Sequence, residues 1–171
     1  MSEALNLLKT RRSVKPIELN GPPPSGAELE TLLTVASRVP DHGKLTPWRF
    51  IVFDGESRMK AGSAIEGVFK ADNPAATADQ IAFERNRLAR APLVVAVVSR
   101  AAPHVKIPEW EQVLSAGAAA MNLVTAAHAL GLSPHEKIAG FVHIGRPAKP
   151  PEDRPRPPLS DIVTYYDGES R

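Results

Sequence analysis

Six consecutive apolar residues, Leu93, Val94, Val95, Ala96, Val97 and Val98, constrain this chain more than any other feature. A strand with one wet face alternates apolar and polar side chains, whereas an unbroken β-branched run belongs to a strand buried on both faces. Such a strand lies inside a sheet and needs helices on either side of it. The sequence supplies them. Ala4, Leu5, Leu7 and Leu8 form a short helical stripe that breaks before Pro16. Ser25 with Glu28 three residues on is a capping box opening a helix that carries Leu29, Leu32, Leu33 and Ala36. Met59 to Phe69 has helical spacing, and Thr77 with Gln80 caps a helix expected to reach about Arg90. Pro108 leads into an alanine-rich helix from Glu109 to Leu130, ending at Gly131. Trp48 to Phe53 and Ile138 to Ile144 read as the other strands, the first closed by the Asp54-Gly55 turn. The expected class is α+β, a three-layer α/β/α domain whose central mixed sheet is covered by helices on both faces.

At 171 residues one core is expected, and six prolines between Arg146 and Pro158 force an extended stretch. The chain therefore divides into a body, 1–145, and a proline-rich arm of the same domain, 146–171. Without cysteine there is no disulfide, thiolate nucleophile, iron-sulfur cluster or cysteine-bound zinc. The five histidines show no metal-site spacing, so no metal is assigned. A formal net charge of +2 argues against nucleic acid as a partner. Val113 to Leu130 is interrupted by Asn122 and His128 and reads as a buried helix, not a membrane span. The polar start MSEALNLLKT lacks the apolar centre of a signal peptide, and a cytoplasmic location is the resulting expectation. No GxGxxG, GxxxxGK[ST], GxSxG or HExxH pattern is present, and no side chain is assigned as catalytic.

Two loops concentrate polar groups. Arg11, Arg12 and Ser13, with Lys15 nearby, offer guanidinium forks and a hydroxyl suited to a phosphate, or a solvated pair favouring its own helix end. Arg38 and His42 flank Val39-Pro40-Asp41 ahead of Pro47-Trp48, and could edge a planar cofactor or lie in an ordinary turn with Asp41 capping.

The segments RRSVK at 11–15, SRVPDHGKLTPWRFIV at 37–52, RAPLVVAVV and IPEWEQVLSAGAAAMNLVTAAHALG, in this order and spacing, resemble the flavin-dependent nitroreductase family, in particular its small single-domain branch. The similarity runs from about Leu5 to Gly145. It implies a homodimer with FMN at the interface, taking hydride from NAD(P)H and passing electrons to nitroaromatics, quinones or similar small-molecule acceptors. By motif, Arg11, Arg12 and Ser13 would bind the FMN phosphate and ribityl chain. Arg38 and His42 would lie in the loop that contacts FMN, often across the dimer, and Ala126 to Gly131 near the nicotinamide nucleotide. Arg154 or Arg156 would add a phosphate contact, and Lys15 is a candidate tuner of the flavin potential. The sequence departs from the family where HALGL passes straight into SPHEKIAGFVHIG, so that a family segment covering the flavin is missing between Gly131 and Ser133. A more open site and weaker flavin retention follow, and the alternative to the enzyme is a relative that binds flavin or another ligand without turnover.

Overall fold

A computed structural model describes residues 2–130, 133–137, 141–148 and 158. Helix α1 (Glu3–Thr10) is followed by a 3-10 turn at Pro16–Glu18 and the two-residue strand β1 (Leu19–Asn20). Helix α2 (Gly26–Ala36) starts at the Ser25/Glu28 capping box, whose two reciprocal hydrogen bonds are both formed. Strand β2 (Trp48–Phe53) leads to α3 (Ser57–Asp72) and α4 (Ala78–Arg85), the latter opened by the Thr77/Gln80 box. Strand β3 (Leu93–Ser99), the 21-residue helix α5 (Glu109–Ala129), and strands β4 (Ser133–Lys137) and β5 (Phe141–Pro147) complete the described chain.

The sheet runs β1-β5-β3-β2 with β4 paired to β5. Each pairing is antiparallel, where a mixed sheet was expected. β3 is the inner strand that its composition requires. Leu93, Val95 and Val97 point into a core shared with Leu32 and Ala36 of α2, Leu123, Val124 and Ala127 of α5, and Ile144 of β5. Val94 and Ala96, on the alternate face, are buried as well. Alanines 116, 119 and 127 keep the buried side of α5 slim, which lets the helix lie close against its neighbours.

Three boundaries differ from the sequence reading. The helix expected to reach Arg90 stops at Arg85, and a separate 3-10 turn covers Leu88–Arg90. The third strand lies at Phe141–Pro147 in place of 138–144, with 138–140 outside the described residues. Its last two residues, Arg146 and Pro147, pair with β1. Arg154, Arg156, Gly131 and the apolar group 162–166 lie outside the described residues. Among the described residues no helix is long and apolar enough to cross a membrane, and no cluster of three or more His, Asp or Glu side chains could hold a metal ion.

Candidate functional site

Of the sequence-predicted polar groups, Arg11 to Ser13 and His42 fall at the two ends of α5, and Arg38 lies between them beside Asn122. At the C-terminal end of α5, α1 finishes beside the helix and hands over to Arg11, Arg12 and Ser13, all half-buried. Arg11 Nη1 donates to Ser13 Oγ (3.5 Å), and Arg12 Nη1 donates to the carbonyls of Lys9 (3.0 Å) and Arg11 (2.9 Å). Val14 is buried and pins the segment, while Lys15 is exposed. The arginines make themselves felt at His128 in the last turn of α5. Burial, then the charges of Arg11 and Arg12, hold this imidazole below the ordinary histidine value. A region where cation density discourages a further proton is one where an anion is welcome. Two guanidinium groups and a hydroxyl form a donor set that fits a phosphomonoester such as that of FMN.

At the N-terminal end of α5 the loop Pro40 to Thr46 presents His42. Its backbone is unusual: Gly43 has φ +72°, and Lys44 and Thr46 have φ of +54° and +48°. Left-handed geometry at non-glycine residues costs about 1 kcal/mol or more each, so something must hold it. The Asp41 carboxylate does so, accepting from the amides of Leu45 and Thr46, both at 3.0 Å. Ser115 Oγ donates to the Pro40 carbonyl, and Gly43 lies so close to Ile107 that a Cβ would sit 2.3 Å from its Cδ1. Ile107 is itself held by Gln112, a buried side chain that donates to the carbonyls of Ala102 (2.8 Å) and Ile107 (3.2 Å) and accepts from the Ala102 amide (3.1 Å). Arg38, four residues before His42, is exposed, and its carbonyl and that of Val35 accept from Asn122 midway along α5.

The loop delivers His42 onto Glu111. Nδ1 donates to Oε2 at 2.8 Å, with the imidazole 67% and the carboxylate 31% exposed. This pair borders a recess of about 330 Å³ with Pro40, Leu114, Ser115 and Ala118 in its wall. Glu111 was not among the predicted site residues. The signal for it was present in PEWEQ, since a carboxylate in the first turn of a helix sits where a preceding loop can meet it.

Arg11, Arg12 and Ser13 thus come together, as do His42 and Glu111, but the two groups are separate. From Glu111 to His128 is about 25 Å along a helix rising 1.5 Å per residue. That is longer than an extended FMN.

Comparisons with known proteins agree with one another. The family model described as "Nitroreductase family" matches residues 8–133. An Escherichia coli (strain K12) protein named "Putative NAD(P)H nitroreductase YdjA" is 33% identical over 187 aligned positions, covering 96% of this chain and all of that one. A nitroreductase-like family protein from Bacillus cereus has the same fold, with TM-score 0.84, 23% identity and 98% of both chains covered. A Bacteroides fragilis nitroreductase solved with bound FMN gives TM-score 0.68 at 17% identity, covering 98% of this chain and all of that one.

Proposed function

The chain belongs to the nitroreductase family, and from that membership we propose that it is an FMN-dependent oxidoreductase passing reducing equivalents from NAD(P)H to nitroaromatic, quinone or similar small-molecule acceptors. The observation that carries this reading is the gathering of the Arg11 and Arg12 guanidinium groups and the Ser13 hydroxyl where α1 ends beside α5. Arg11, Arg12 and Ser13 would hold the phosphate and ribityl chain, and 126–131 would lie near the nicotinamide nucleotide. FMN, when bound, supplies the hydride chemistry, and no side-chain nucleophile is required. The chain's own residues bind and orient it, and place positive charge and donors where reduction builds negative charge. In this reading the arm, 146–171, belongs to the same domain, and Arg154 is a further phosphate ligand.

A homodimer makes the two ends of α5 useful to one flavin. His42, with Arg38 in the same loop region, would reach the ring of a flavin whose phosphate is held by a second copy, because one copy alone separates His42 from the arginine cluster by most of a long helix. The outer face of α5 supports this. Trp110, Val113, Leu114 and Met121 are exposed and recur at helical spacing around Gly117. A stripe of this kind on a water-facing helix marks an interface, and its self-complementary form is a two-fold dimer.

The test is a visible spectrum of protein reconstituted with FMN and freed of excess flavin, followed anaerobically on adding NADPH and NADH separately. Retained flavin that bleaches with either nucleotide supports the reading and names the donor. Retained flavin without bleaching would favour the binding-only relative, and no retained flavin would overturn the assignment. Arg11→Ala is expected to weaken FMN binding roughly tenfold or more, the size of a lost charge-assisted hydrogen bond.

A further inference from the structure

Reduction of an acceptor oxygen needs more than electrons. Converting a quinone to a hydroquinone consumes two electrons and two protons, of which a hydride brings both electrons and one proton. The second proton must come from water or from a positioned acid. Among the described residues the His42–Glu111 pair is an arrangement suited to the second route, and this inference rests on the oxidoreductase reading above.

We propose that His42, oriented by Glu111, donates the second proton to the acceptor. The geometry fixes the direction. A carboxylate accepts only, so the Nδ1 that faces Oε2 is the nitrogen that carries a hydrogen, and the remaining ring nitrogen, Nε2, is the one left to exchange protons. The intrinsic preference of a neutral imidazole in water is the other tautomer, so the carboxylate reverses it. Nε2 belongs to a side chain that is 67% exposed and lies beside the apolar recess walled by Pro40, Leu114 and Ala118. An aromatic acceptor is matched by those walls, and its oxygen by the imidazole at the rim.

The loop's construction argues that the position of His42 is purposeful. Three left-handed residues follow it within four positions, and Asp41, Ser115 and the Gly43–Ile107 contact hold them there. Backbone strain maintained by that many partners is the signature of a pre-positioned group. In the step itself, a hydride that FMN would supply when bound would reach one quinone oxygen, the displaced electron pair would collect on the second, and that oxygen would take the proton from Nε2 of imidazolium. A neutral imidazole remains, with Nδ1–H still on Glu111, and water restores the proton. His42 is the acid. Glu111 is a positioning residue.

Two measurements on wild type and Glu111→Ala test this. The first is the nitrogen NMR spectrum of the His42 ring in flavin-free protein. Wild type is expected to show the Nδ1–H tautomer, and Glu111→Ala to shift the population toward Nε2–H. A wild-type ring already in the Nε2–H form overturns the proposal whatever the enzyme does. The second is reoxidation of the NAD(P)H-reduced, FMN-loaded protein by a benzoquinone and by ferricyanide, which takes electrons singly and no proton. The ratio of quinone to ferricyanide rates should fall roughly tenfold in Glu111→Ala, at the low end of what a general acid contributes, with a solvent isotope effect on the quinone reaction alone. An unchanged ratio would overturn proton donation while leaving the oxidoreductase reading intact. A wild-type protein that retains no reducible flavin would overturn both.

Discussion

The two ends of α5 are built in opposite ways. At the N-terminal end, position is determined by many directional contacts: Asp41 on two amides, Ser115 on Pro40, Gln112 on three backbone groups, and a glycine pressed against Ile107. At the C-terminal end, Arg11 and Arg12 follow a short helix with no buried residue, Arg11 donating to Ser13 and Arg12 to the carbonyls of Lys9 and Arg11. One end fixes geometry and the other supplies charge. The difference matches what each is asked to do in the proposed function. A phosphate is bound by field and by adaptable donors, so tolerance costs little there. A planar ring and an acceptor oxygen demand orientation, and misplacement by an ångström is expensive.

The sharpest way to break this contrast is Gln112→Ala. It leaves the buried Ile107 carbonyl and the part-buried hydrogen bonds to the Ala102 amide and carbonyl without their partner, and a loss of about 2 kcal/mol in denaturant unfolding is expected. If the cost were near that of an exposed side chain, the claim that this end is held by directional bonds would fail. Next is Gly43→Ala. The added Cβ must displace buried Ile107 and occupy a left-handed backbone, for about 2 kcal/mol. A neutral result would mean that the loop relaxes freely and that His42 is not pre-positioned.

The smallest effect belongs to the other end. His128 is held below the ordinary histidine value, so in the interval between its folded and unfolded values the unfolded chain binds more protons. Its contribution to stability therefore rises with pH through that interval and is lost on acidification. His128→Gln should narrow the gap in Tm between about pH 7.5 and about pH 5.5. Added inorganic phosphate should narrow the same gap in wild type, by neutralising the arginine field. A gap untouched by the substitution would remove His128 as a reporter of that field.

Much of the fold was legible because local chemistry and tertiary need coincide. Both capping boxes are formed, β2 spans Trp48–Phe53 as its composition predicts, and the apolar run at 93–98 is the inner strand. The failures share a cause. β1 is two residues long and β4 reads SPHEK, with a proline and three titratable side chains, so both owe their strand geometry to pairing with β5 and carry no pattern of their own. Strand direction is equally invisible, because an apolar run fits a parallel or an antiparallel neighbour. At the site, loops could be singled out by residue type, but the partner of His42 lies 69 positions away on another element. Only folding reveals that Glu111, and not Asp41, receives the imidazole.

The chain has two tryptophans, and they stand in contrasting surroundings. Trp48 is 6% exposed within the core at the start of β2, while Trp110 is 61% exposed on the outer face of α5. Their intrinsic emission therefore separates two events that are usually entangled. Light from Trp48 shifts to the red only when the core opens, whereas light from Trp110 shifts to the blue or is quenched when another surface or a chromophore covers that helix. With Trp110→Phe to isolate the first signal and Trp48→Phe to isolate the second, unfolding and association become optically distinct without any added label.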